Sequence, residues 1–276
     1  PALPVAAGQK VALYGISSID FVAGGTGSGN VNKPYIRHIN EGLEAAGFVL
    51  DQKIVNLYQT YRAYQNAEDA NAAMLPTQAL GGSLSLGDGV MPEMPLRKAV
   101  IANSVANNDV AVVVIGRNAG EGDDRTLEDD FDLSQVEREM LTNVCNLYHQ
   151  AGKKVIVVLN IGGVIETASW KSLPDAILLA WTPGQEVGNS VADILCGKSN
   201  PSGKLAMTFP NAYLDIPSSK NFPYYKPQAN RGRSASAQQV KDYDYTEYAE
   251  GLNVGYRYFN TNKVDVSYPF GFGLSY

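Results

Sequence analysis

One glutamate in this chain stands between two glycines, in the run Gly116-Arg117-Asn118-Ala119-Gly120-Glu121-Gly122-Asp123-Asp124-Arg125. The run follows residues 110–115, a continuous apolar stretch that predicts a buried strand. Glycine on either side lets a carboxyl project from the end of such a strand into a cleft, which makes Glu121 a candidate proton donor. A solvated acidic loop is the plainer alternative, and for any single glutamate taken alone it is the more frequent one. Asp124 and Arg125 read as a loop-bracing ion pair rather than as catalytic groups.

A second glycine-rich run, Gly24-Gly25-Thr26-Gly27-Ser28-Gly29-Asn30, precedes a helical pattern. Its backbone can approach a ligand closely, and amides at the following helix start can receive an anion or a polar group. It lacks the Lys-Ser/Thr of a phosphate loop and misses the G-x-G-x-x-G spacing, so a merely flexible turn stays open. Only two histidines are present, His38 within a helix pattern and His149 near a helix end, which leaves little material for a Ser-His-Asp triad or a multi-histidine metal centre. No cofactor is implied. Cys145 and Cys196 fall in helical segments and read as small buried hydrophobes. Glu186, the competing acid, follows Pro183-Gly184 at a predicted helix start and is explained there as a charge on the positive helix end.

These loops need elements to hold them. Apolar runs at 11–14, 110–115, 155–159 and 177–181 predict strands, and their unbroken character is that of a parallel sheet covered on both faces. Between them, 34–46 sets Ile36, Ile39, Leu43 and Ala46 on one stripe with Gly47 as the stop. A second helical region covers about 59–74, and a third begins near Leu96. Ser134 and Glu137 form an S-x-x-E capping box, after which Val136, Met140, Leu141, Val144, Leu147 and Tyr148 recur at helical spacing until Gly152. Strands alternating with helices predict an α/β fold: an open, doubly wound, mostly parallel sheet with helices on both faces, a three-layer sandwich. Ligands of such sheets sit beyond the carboxyl ends of the strands, where both glycine-bearing runs fall. The stretch 77–95 reads as an excursion, and 211–248 as a long surface arm. The expected organisation is a single domain over 1–276, with a core at about 8–210 and an irregular arm and C-terminal segment at 211–276.

Composition narrows the partners. With 276 residues, 45% of them hydrophobic, the chain can bury a sizeable core. A net charge of −6 gives no basic field for nucleic acid, and no apolar run approaches the ~20 residues of a membrane-spanning helix. The opening Pro-Ala-Leu-Pro has neither an initiator methionine nor the pattern of a signal peptide, which suggests a processed chain or part of a longer one.

The run at 112–125 resembles the carboxy-proximal α/β sandwich domain of glycoside hydrolase family 3, which includes β-glucosidases and β-xylosidases. The resemblance continues in order through Gly24–Gly29, Asp130-Phe131-Asp132-Leu133-Ser134, Asn160-Ile161-Gly162-Gly163 with Trp170, Pro183-Gly184-Gln185-Glu186 and Asn200-Pro201-Ser202-Gly203-Lys204-Leu205. It ends with Thr208-Phe209-Pro210, Val254-Gly255-Tyr256-Arg257-Tyr258-Phe259 and Pro269-Phe270-Gly271-Phe272-Gly273-Leu274-Ser275-Tyr276. It implies that Glu121 is the general acid/base of a retaining β-glycosidase and that Ser28 lies near the sugar of an oligosaccharide or β-glucoside. It also implies an Asp nucleophile on a separate (β/α)-barrel that nothing here resembles. A fibronectin-like module after Tyr276 and a periplasmic or secreted location are further implications. In retaining enzymes the two carboxyl groups lie ~5–5.5 Å apart, and a raised pKa keeps the donor protonated. Glucose is the expected sugar, with xylose next. The alternative function is a non-catalytic module that holds a carbohydrate or small anion at its glycine run.

Overall fold

The segment Val110–Arg117 reads VAVVVIGR, and all eight of its residues are buried because it forms the middle strand of a five-stranded sheet. The computed structural model describes residues 1–74, 90–119, 125–220 and 248–276, with backbone alone over 69–74. In chain order the main elements are β1 (Lys10–Tyr14), α1 (Ile39–Ala45), β2 (Val49–Leu50), α2 (Gln52–Met74), α3 (Lys98–Val105) and β3 (Val110–Arg117). After these come α4 (Gln135–Gln150), β4 (Lys154–Ile161), β5 (Ala176–Leu179) and α5 (Val187–Leu195). The sheet order is β2-β1-β3-β4-β5 and every pairing is parallel.

Alternate residues of each strand point to opposite faces. Ala12, Tyr14, Val113, Ile115, Val155 and Val157 therefore join Ile54 and Tyr58 of α2, Ile101 of α3 and Met140, Leu141 and Val144 of α4 in one core. Val11, Leu13, Val112, Val114, Ile156 and Val158 join Ile39 and Leu43 of α1 and Val187, Val191 and Leu195 of α5 in the other. The result is the expected three-layer α/β sandwich. The capping box is present, with Ser134 N–H donating to Glu137 at 2.8 Å and Glu137 N–H donating to the Ser134 hydroxyl at 3.2 Å.

Several bounds differ from the sequence pattern, each for a local reason. The first helix begins at Ile39 rather than at 34, because the backbone of Arg37 bonds to the start of α5: Arg37 N–H to the Gln185 carbonyl (2.7 Å) and Gly188 N–H to the Arg37 carbonyl (2.8 Å). The second begins at Gln52, seven residues before the expected 59, because Asp51 accepts Lys53 N–H at 3.1 Å and so caps it. Within 211–276 the chain is only partly irregular. Helix α6 (Tyr256–Asn262) precedes β7 (Val266–Tyr268), which pairs antiparallel with β6 (Phe209–Pro210). Residues 221–247 of the expected arm and 77–89 of the expected excursion lie outside the described residues, and 90–95 runs as coil. No described helix is long and apolar enough to cross a membrane.

Candidate active site

Strands β1 and β3 are neighbours, yet the chain leaves them towards opposite faces: β1 leads to α1 in one layer, and β3 leads to α4 in the other. A crevice opens at such a switch point, beyond the carboxyl ends of the two strands. The glycine run 24–29 follows β1 and the stem 118–119 follows β3, so these two described segments lie at this switch point.

The stem that leads from β3 is enclosed on two sides. A Cβ on Gly25 would stand 2.8 Å from the Ala119 carbonyl oxygen, and one on Gly162 would stand 2.7 Å from the Ala119 Cβ. Only glycine permits approaches this close. Beneath them, the fully buried Asn160 at the end of β4 accepts Val22 N–H (2.7 Å) and donates to the carbonyls of Val22 and Trp181 (both 2.8 Å). This ties the loop after β1 to the loop after β5, and Gly184 N–H adds a bond to the Ala23 carbonyl at 2.8 Å.

The returning stem is fixed by charge. Arg125 pairs with Asp130 at 2.7 Å and reaches the Asn118 carbonyl at 3.3 Å, while the second Asp130 oxygen accepts Thr126 N–H at 2.9 Å. Burial pushes the Arg125 guanidinium below its ordinary pKa, and the Asp130 carboxylate opposes that shift. One layer deeper, Arg117 grips both Glu137 oxygens at 2.6 Å and the Asp130 carbonyl at 2.7 Å, with both side chains buried. Such a bidentate pair is strong in geometry, and its desolvation is offset only because the remaining oxygens and protons are also bonded.

Ser28 lies on an exposed turn, Gly27–Gly29, closed by Gly29 N–H to the Thr26 carbonyl and Asn30 N–H to the Gly27 carbonyl, each 3.0 Å. Glu121 and Asp124 lie outside the described residues. Arg125 is described, and its carboxylate partner there is Asp130. The competing acid Glu186 is the N-cap of α5, where hydrogen bonds from the Tyr35 hydroxyl and Asn189 hold its carboxyl below the usual range. An acid that stays ionised is poorly suited to protonate a leaving group.

His38 caps α1 rather than lying inside it. Its Nδ1 accepts Phe21 N–H at 3.2 Å, and burial lowers its pKa. His149 meets Asp175 at 2.8 Å near the end of α4. Cys145 is buried, which pushes its thiol up to about 12. Among the described residues no group of three or more His, Cys, Asp or Glu could hold a metal ion.

Sequence reasoning singled out neither Asp130 nor Asn160 as a site residue. The one available signal was Asn160 itself, a polar residue in the apolar run Lys154–Ile161.

A parallel α/β sandwich whose glycine run after β1 meets the stem leaving β3 at the switch point is a scaffold for a ligand or reaction site beyond the carboxyl ends of these strands. The comparisons specify it further. The chain matches the glycosyl hydrolase family 3 C-terminal domain over residues 1–276, and it belongs to that family. Beta-glucosidase A of Butyrivibrio fibrisolvens is 35% identical over 305 residues, which is 99% of this chain and 32% of that protein. A beta-glucosidase of Ruminococcus albus is 31% identical, over 99% of this chain and 26% of its own. Beta-glucosidase 3B from Thermotoga neapolitana, solved in complex with glucose, superposes with a TM-score of 0.81 at 39% identity, covering 100% of this chain and 35% of the other. The chain thus spans about a third or less of the relatives it matches.

Proposed function

We propose that this domain supplies the general acid/base, Glu121, of a retaining β-glycosidase, with a β-glucoside or oligosaccharide as substrate. The observation that carries the reading is the pair of fixed stems that flank residues 120–124 in the sequence: Ala119, held against Gly25 and Gly162, and Arg125, paired with Asp130. Family membership supports the same reading.

Glu121 would protonate the departing glycosidic oxygen while an Asp nucleophile, carried by a (β/α)-barrel, attacks the anomeric carbon. It would then deprotonate the water that releases the sugar. Ser28, on the exposed turn 27–29 that follows β1, would contact the sugar, and Asp124 and Arg125 would brace the run that carries Glu121. Glucose is the preferred sugar and xylose the next. The enzyme works in the periplasm or outside the cell, an assignment that rests on resemblance to the family alone.

The test is Glu121→Ala in the complete enzyme. Loss of general acid assistance costs ~10²–10⁴-fold, and the loss should be greatest for basic leaving groups such as the second glucose of cellobiose, and small for nitrophenolate. Azide needs no deprotonation and should rescue the second step by forming a β-glycosyl azide. An equal loss on all leaving groups, without azide rescue, would remove the assignment.

A further inference from the structure

Asn160 has 0% exposure in a strand otherwise made of Val, Ile, Leu and a terminal lysine. A buried amide costs free energy unless it is paired, and an apolar side chain would suit the sheet better. Its three hydrogen bonds go to the main chain of two loops, Val22 after β1 and Trp181 after β5. An asparagine side chain has two N–H donors, and both are used here. Trp181 is held there at a φ of 54°, a conformation rare for a bulky residue.

The consequence reaches the site in two short steps. Val22 stands three residues before Gly25, and Gly162 two residues after Asn160. Both glycines approach Ala119 closely, while Gly162 N–H also donates to the Arg117 carbonyl at 3.0 Å. A single amide thus sets where both glycines meet the β3 stem, two residues before Glu121 in the sequence.

We infer that Asn160 is a positioning residue for the glycosidase reaction. It fixes the register between the turn that carries Ser28 and the stem that leads to Glu121, without touching the reacting atoms. This rests on Glu121 being the acid/base.

The experiment uses the complete enzyme with Asn160→Asp, which keeps the acceptor for Val22 N–H but turns a carboxylate oxygen towards two carbonyls. Active sites are counted by stoichiometric trapping with a fluorinated glucoside inactivator, so that rates refer to folded molecules. A displacement of roughly 1 Å costs on the order of 10²-fold. Expected is therefore a fall in kcat on cellobiose of about 10- to 100-fold, with a much smaller fall on an activated nitrophenyl glucoside and KM changed less than kcat.

A merely structural role would lower the number of titrated sites and leave the rate per site unchanged. Unchanged or proportionate rates per site on the two substrates would overturn the proposal. If Asn160→Asp yields no folded enzyme, Gly25→Ala probes the same seam without burying a charge, and an unselective effect there overturns it equally. Glu121→Ala is run in parallel. If it is fully active, the acid/base reading falls and takes this inference with it. If it is crippled in the leaving-group-dependent way while the seam variants are normal per site, only this inference falls.

Discussion

Glu93 accepts hydrogen bonds from Ile16 N–H at 2.9 Å, the Tyr58 hydroxyl at 3.0 Å and its neighbour Met94 N–H at 3.0 Å. Burial dominates these contacts and pushes its carboxyl up to about 7. The folded protein therefore holds this proton at a pH where the unfolded chain has released it. The stabilising contribution is fully present below about 4.5 and is lost as pH rises through 7. Glu93→Gln, which cannot ionise, should gain thermal stability relative to the parent between pH 4.5 and 7, with the difference constant above about pH 8. Melting curves across that range check it, and a pH-independent difference would show that Glu93 does not titrate there. At this scale little was legible beforehand. The capping role of Glu137 could be read from its spacing to Ser134, but its grip on Arg117 could not. Nor could the reach of Asn160 to a loop 138 residues away, because a side chain's partners across a sheet leave no local pattern.

Helices α1 and α5 cross where Gly42 meets Gly188, and a Cβ on Gly42 would lie 2.0 Å from the Gly188 carbonyl oxygen. Replacing a helical glycine by alanine ordinarily stabilises by about 1 kcal/mol. Here the sign should reverse, because over-packing a tight contact costs about 1–3 kcal/mol. Gly42→Ala should lower the urea midpoint with an unchanged m-value, and a raised midpoint would mean that the two helices can part without cost. The strands β1, β3 and β4 and the helix α4 were visible in the sequence because burial on both faces, or on one stripe, imposes a period that survives in composition. The true starts of α1 and α2 were not, since each is set by a few hydrogen bonds to distant or capping groups. The two-residue β2 and the α6–β7 unit were missed for a related reason: elements this short are held by what they pack against, not by their own propensity.

As a whole, the domain offers one wall of the proposed site, beyond the carboxyl ends of β1 and β3, whereas small-molecule sites generally bury most of the ligand. On the proposed mechanism, in which the nucleophile is carried by the barrel, the 276 residues produced alone should fold cooperatively yet hydrolyse aryl β-glucosides no faster than the same chain with Glu121→Ala. Glucose titrated into that chain in a calorimeter should give no saturable heat. Tight binding would favour a carbohydrate-holding module, and Glu121-dependent turnover would show that the chain is self-sufficient. The strand order carries a different consequence, for biosynthesis. Val11 pairs with Val110, so the central pairing of the sheet joins residues made far apart in time. At about 5–20 residues per second, the nascent β1 waits roughly 5–20 s with only the two-residue β2 beside it. Throughout that interval one edge of β1 is open to pairing with other chains. A ribosome that stalls before residue 117 would release a half-sheet prone to aggregate, so chaperone demand for this domain should be greatest during the synthesis of its first hundred or so residues.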